Sequence, residues 1–128
     1  MEMSSLVIFA LNVKILADFY KDVLGISPTP RPGDSKKDIR LGKNGDELLI
    51  HSIPDRIAKS IVIQSPPVPR DNSAMKPVLD VESLSIALER VTLLGGIVTE
   101  RTFTSDGLTR QDIVDPEGNV VQLRSSVL

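Results

Sequence analysis

The chain repeats itself, and this repeat constrains its fold more than any other feature. An apolar run of β-formers, Leu6-Val7-Ile8-Phe9-Ala10-Leu11-Asn12-Val13, opens the first half and suits a strand buried on both faces. Ile15, Leu16, Phe19, Val23 and Leu24 then recur at helical spacing from Lys14 to Leu24, and Gly25 stands where a helix C-cap glycine belongs. The segment Ser27 to Asp34 holds three prolines and a glycine, the composition of an edge strand or loop. Asp38-Ile39-Arg40-Leu41 and Glu47-Leu48-Leu49-Ile50-His51 flank Lys43-Asn44-Gly45-Asp46, and Asn-Gly between two such runs signals a tight hairpin. The first half reads βαβββ.

The second half follows the same plan. Val78-Leu79-Asp80-Val81 is a short strand, and Ser83 caps a helix whose Leu84, Ala87, Leu88, Val91 and Leu94 share one face before Gly95-Gly96 ends it. Ile97 to Phe103 precedes two further strands, Leu108 to Val114 and Asn119 to Arg124, joined by the turn Asp115-Pro116-Glu117-Gly118. Val13 and Val81 lie 68 positions apart and Gly25 and Gly95 lie 70 apart, a near-constant offset that points to internal duplication. The expected organisation is one domain: module one at 5–53, a linker at 54–75 and module two at 76–125. The Pro-rich Ser65 to Asn72 makes the second part of the linker extended, while Ile57 to Ile63 keeps aliphatic side chains to pack down. Ser27–Ser35 and Thr104–Gly107 are left as loops whose placement the pattern does not fix.

Composition narrows the functional classes. With 15 Lys+Arg against 17 Asp+Glu there is no basic footprint for a nucleic-acid backbone. No Cys is present, which excludes disulfides, thiolate zinc sites, iron–sulfur clusters and a cysteine nucleophile, and suggests a cytoplasmic home. The N-terminal residues lack the basic region of a signal peptide and the apolar run after them is too short to cross a bilayer, so no membrane role is expected. G-x-S-x-G, H-E-x-x-H, the P-loop and the dinucleotide fingerprint are all missing.

Phe19-Tyr20-Lys21-Asp22-Val23-Leu24-Gly25 closing the first helix, and Asp115-Pro116-Glu117-Gly118-Asn119-Val120-Val121-Gln122-Leu123 near the end, resemble the vicinal-oxygen-chelate superfamily of glyoxalase I, the extradiol dioxygenases and the bleomycin-resistance proteins. The likeness covers nearly the whole chain, and its motifs are structural and do not define a reaction. A narrower likeness, through His51-x-Ile53-Pro54, Pro66-Pro67-x-x-Arg70, Lys76-Pro77 and Gln122-x-Arg124, is to a metal-ligand-poor bacterial subgroup with no function to carry over. The resemblance implies an α+β fold in which two tandem βαβββ modules form a cupped mixed sheet with helices on the outer face, commonly assembled as a homodimer. In metal-dependent members one residue from the first and one from the last strand of each module hold the ion. Those positions fall here at Ile8, Leu49, Lys76 and Gln122. A hydrocarbon has no lone pair to donate and an ammonium repels a cation, so the expectation is no metal and no cofactor. A shifted set of His51, Gln122 and Glu47, serving a lyase, isomerase or dioxygenase, is the alternative.

Counting across the turns gives the candidate site. Asp112 falls opposite Gln122 and Arg110 opposite Arg124, with all four on one face; in module one Asp38 faces His51 and Arg40 faces Leu49. By the resemblance that face lines the cup, so Arg40, His51, Lys76, Arg110, Asp112, Gln122 and Arg124 form a net-positive wall suited to an anionic or polar small molecule. The same residues also read as ordinary cross-strand charges on a wet sheet face. His51 and Asp112 are the two candidates for metal-free acid/base catalysis; equally, His51 reads as a plain surface histidine, Lys76 as a solvated strand start and Asp112 as a carboxylate pinned by arginine.

Overall fold

The computed structural model describes residues 5–70 and 73–128. Along the chain run β1 (Ser5–Ala10), α1 (Val13–Leu24), β2 (Ser27–Pro28), β3 (Ile39–Lys43), β4 (Asp46–Ser52), α2 (Asp55–Ala58), β5 (Val78–Asp80), α3 (Leu84–Leu93), β6 (Ile97–Ser105), β7 (Leu108–Val114) and β8 (Val120–Ser125). Each module builds a four-stranded mixed sheet, ordered β1-β4-β3-β2 and β5-β8-β7-β6. In both, the first strand lies parallel to the last and the other neighbours are antiparallel, so the duplication seen in the sequence is a duplication of topology.

Local chemistry sets the element ends. The Asn12 side chain accepts the Ile15 N–H at 3.1 Å and caps α1, which Gly25 terminates in the left-handed region. Ser83 caps α3 in the same way through Ile86. Asn44 and Gly45 both take positive φ, the requirement of a two-residue hairpin turn between β3 and β4. The segment Thr104–Gly107, expected as a loop, is a second such hairpin: Asp106 and Gly107 have φ of 53° and 74°, and Ser105 pairs with Leu108.

β1 departs from the expectation of a strand buried on both faces. It has one neighbour, β4, and its residues alternate: Leu6, Ile8 and Ala10 pack into the core, while Val7 and Phe9 stand 46% and 55% exposed. A run of apolar residues looks alike whether its outer face meets a second layer or stays open, so composition alone could not separate the two cases. The linker is also less tightly packed than expected. It contains the single turn α2, and Ile57 and Val62 are exposed while Ile61 and Ile63 are half-buried.

One core joins the modules. α1 packs on β3 and β4, α3 on β6 and β8, and the two helices on each other. Phe19, Tyr20 and Val23 thereby share a cluster with Leu84, Ala87 and Val91. A polar junction reinforces it. The fully buried Asp115 accepts the Tyr20 hydroxyl at 2.7 Å together with the N–H groups of Glu117 and Asn119 and the Asn119 amide. The Glu117 carboxylate reaches back to module one and accepts both Leu11 N–H and Asn12 N–H at 2.8 Å. The linker closes over this turn: Arg70 N–H donates to the Gly118 carbonyl, and a Cβ at position 118 would stand 2.6 Å from the Val68 carbonyl oxygen. Only glycine, which also supplies the φ of 88°, allows that approach.

Burial, and then the neighbouring Asp115 carboxylate, push the Tyr20 phenol well above the usual tyrosine range. A raised folded-state pKa contributes stability that is complete below the unfolded value of about 10 and is lost as pH rises beyond it. Tyr20 is the one tyrosine of the chain, which also lacks Trp. An ultraviolet titration is therefore expected to show no phenolate until the protein unfolds, with absorbance and circular dichroism changing together; phenolate formed in folded protein would contradict this.

Candidate functional site

The helices cover one face of each sheet, and alternation along the strands leaves Arg40, His51, Arg110, Asp112, Gln122 and Arg124 on the other, open face, with Lys76 two residues before β5. In module two, cross-strand pairing aligns Val78, Gln122 and Asp112 in one row and Asp80, Arg124, Arg110 and Phe103 in the next. The pairings expected from the turns, Asp112 with Gln122 and Arg110 with Arg124, are those observed.

The Lys76 ammonium donates to Asp112 Oδ2 at 2.9 Å, and the Gln122 amide N–H donates to Oδ1 at 3.2 Å. Asp112 is 4% exposed and Gln122 7%, whereas the Lys76 side chain is 38% exposed. The carboxylate is thus held from both sides beneath an ammonium that still reaches solvent with its remaining donors. Asp112 is pinned, as one sequence reading held, but its partner is Lys76 and not an arginine. Arg124 is gripped by Asp80 through two bonds of 2.7 and 3.2 Å, which raises its pKa. Arg110 differs: its guanidinium lies 5.6 Å from the centre of the exposed Phe103 ring and donates to the Ser105 hydroxyl at 3.2 Å, and among the described residues it has no carboxylate partner.

In module one, His51 Nδ1 is 2.7 Å from Asp38 Oδ2, and the other oxygen of Asp38 accepts the Ser52 N–H at 3.1 Å. The Phe9 ring meets the imidazole edge-on at 5.2 Å. Of the two acid/base candidates, then, Asp112 is occupied by Lys76 and Gln122, and His51 keeps Nε2 without a hydrogen-bond partner among the described residues. Arg40 is saturated. It holds Asp34 through Nε and Nη2 and Glu47 through Nη1, and Arg31 also pairs with Glu47. The Arg40 and Arg31 contacts pull the Asp34 carboxyl down to about 2.

The metal positions need one correction. Ile8 faces the helix side and packs on the core, so the open-face residues of β1 are Val7 and Phe9, with Leu49 opposite Val7. Hydrocarbons remain at both module-one corners, and Lys76 stands beside Gln122 at the other two. The donor set does not fit a divalent ion: its one carboxamide is hydrogen-bonded to a carboxylate already neutralised by an ammonium. The shifted set is not assembled either. His51 and Glu47 lie four residues apart on β4, engaged by Asp38 and by Arg40 with Arg31, and Gln122 belongs to the other sheet.

Within the chain, no hydrogen bond or ion pair among the described residues joins Arg40 or His51 to the module-two group. Two hollows lie elsewhere, one of about 280 Å³ between Ile61–Gln64, Val68, Arg70 and Glu117, the other of about 170 Å³ beside Lys43, Glu82 and Arg90. Neither is lined by a residue of the sequence-predicted wall. Phe103 and Asp80 were missed in the sequence, although Asp106-Gly107 carries the same hairpin signal as Asn44-Gly45, and counting back from it places Phe103 opposite Arg110.

Paired βαβββ sheets with this open polar face define a protein of the vicinal-oxygen-chelate superfamily, the group of glyoxalases, bleomycin-resistance proteins and related dioxygenases. More narrowly, the chain belongs to the glyoxalase-like domain family, whose model matches residues 5–124. A search of curated protein sequences finds no match. Among solved structures it is similar to a glyoxalase/bleomycin resistance protein/dioxygenase family enzyme from Burkholderia phytofirmans PsJN, at 13% identity and a TM-score of 0.70 over 97% of this chain and 98% of that one. Fosfomycin resistance protein FosX from Mesorhizobium loti matches at 9% identity and a TM-score of 0.67, over 99% and 93% of the two chains. Lactoylglutathione lyase from Agrobacterium tumefaciens matches at 19% identity and 0.58, over 97% and 92%. At these identities the likeness is one of fold.

Proposed function

We propose that this protein binds a small anionic or polar organic molecule on the open face of its sheets without a metal ion, acting as a homodimer in the cytoplasm. The observation that carries this reading is the Lys76–Asp112–Gln122 cluster, where one of the family's ligand positions holds an ammonium and another a carboxamide, both tied to the same carboxylate. Lys76 and Arg110 leave that face with cationic donors open to a carboxylate or phosphonate. Homodimer formation is supported by β1 and β5, each of which has a single neighbouring strand among the described residues and so presents an open sheet edge, with Val7, Phe9 and Val78 exposed beside them. The absence of Cys supports the cytoplasm, and among the described residues no helix is long and apolar enough to cross a membrane.

Thermal melts against a panel of organic anions, with elemental analysis of protein purified without chelator, test the reading. The expected result is stabilisation by a subset of anions, about 2.7 kcal/mol at a hundredfold excess over Kd, and no stoichiometric divalent metal. A tightly held metal, or a panel without one stabilising anion, would count against it. Sedimentation is expected to report a particle of two 13.9 kDa chains.

A further inference from the structure

We infer that Phe103 and Arg110 form an aryl-carboxylate subsite on the module-two sheet, a narrowing of ligand class that rests on the binding reading above. Every other cation tied to this wall is partnered by a carboxylate: Lys76 by Asp112, Arg124 by Asp80, Arg40 by Asp34 and Glu47. Arg110 alone stacks on a ring. Its only hydrogen bond among the described residues uses Nη1, toward Ser105, so the Nε–Nη2 edge retains two parallel donors in the geometry that a carboxylate accepts bidentately.

The ring beneath it is 54% exposed, an aromatic surface standing open next to the fork. The arrangement is held by the fold. The Asp106-Gly107 turn fixes the register that sets Phe103 opposite Arg110, and a second pair, Thr104 with Thr109, locks hydroxyl to hydroxyl at 2.9 Å one step toward the turn. Arg124, the next residue in the row, cannot compete for the same anion because Asp80 occupies its own fork. A ligand that satisfies both elements carries a planar ring and a carboxylate a bond or two away from it. A simple alkyl acid uses only the guanidinium, and an uncharged aryl amide only the ring.

Isotope-labelled full-length protein titrated with benzoate, cyclohexanecarboxylate, acetate and benzamide, and followed by NMR, tests this. Benzoate is expected to shift both the Arg110 Nε–H and the Phe103 ring signals with a Kd of about 1 mM. Cyclohexanecarboxylate, acetate and benzamide are expected to bind several-fold more weakly. Phe103→Leu should weaken benzoate by roughly 2–10-fold and leave acetate unchanged, the size of an aromatic pair. Arg110→Lys should weaken it by about tenfold, as expected for a lost charge-assisted fork. Both positions are on the open face, and unchanged melting curves verify that the variants fold. Equal affinity for benzoate and acetate, or acetate binding at Lys76 without aromatic preference, would overturn the subsite and leave the binding reading standing. No response to any anion on this face removes both. Phe103 signals that move with protein concentration alone would assign the ring to a second copy and overturn the subsite as well.

Discussion

Replacing Asp115 by Ala is expected to lower the melting temperature by about 10–20 °C, the largest effect of any single polar substitution in this chain. Four donors converge on this fully buried carboxylate: the Tyr20 hydroxyl, the N–H groups of Glu117 and Asn119, and the Asn119 amide. Truncation leaves all four without their acceptor inside the protein, and each unsatisfied buried group costs about 1–3 kcal/mol, non-additively, so about 3–5 kcal/mol in total is expected. That is a large share of the ~5–15 kcal/mol of a single domain. The damage spreads, because the same turn presents the Glu117 carboxylate to Leu11 and Asn12 and the Gly118 carbonyl to Arg70. Tyr20→Phe removes one bond and keeps the packing, and should cost only about 1 kcal/mol. Calorimetry on the two variants decides the matter: an Asp115→Ala protein melting within about 2 °C of the parent would show that the junction is not what joins the modules.

This junction explains why the fold was legible. The two motifs that carry the family resemblance, one around Tyr20 and one beginning at Asp115, are bonded to each other at 2.7 Å. They lie 95 residues apart in sequence, yet each is also a local signal, a helix end and a tight turn, and local signals are what periodicity and turn chemistry can read. The module-two pairings followed from the turn at 115–119 for the same reason, since a turn fixes register and register fixes which side chains share a face. What escaped was set by tertiary context. Whether Val7 and Phe9 are covered depends on what lies beyond the sheet, which an apolar run does not encode. Which carboxylate pins which cation depends on side-chain reach: Lys76 extends across β8 to Asp112 on β7, a pairing between residues 36 apart in sequence that no count along one hairpin reveals. Arg40 was placed on the correct face of its sheet, but its three bonds to Asp34 and Glu47 came from the fold of the segment before β3.

The binding reading stands or falls with the electrostatics at Lys76, and there an asymmetry is expected between the two halves of one ion pair. Lys76→Met leaves the Asp112 carboxylate, 4% exposed, with the Gln122 amide as its remaining side-chain partner. A nearly buried charge stripped of its counter-ion is costly, and a fully buried pair broken in this way loses about 3–5 kcal/mol. Because the Lys76 side chain is 38% exposed, water screens part of the interaction, and the expected loss is about 1–2 kcal/mol. Asp112→Asn removes the other partner, yet the freed ammonium sits on a flexible four-carbon stem at the solvent boundary and can turn to water, so the expected loss stays below about 1 kcal/mol. In the double variant the stranded carboxylate is gone, and its stability should recover to near that of Asp112→Asn alone. Denaturant melts of the three proteins measure the cycle. A Lys76→Met cost no greater than that of Asp112→Asn would mean that the carboxylate is hydrated and the ammonium incidental, and Lys76 would then no longer set the corner beside Gln122 against a divalent ion.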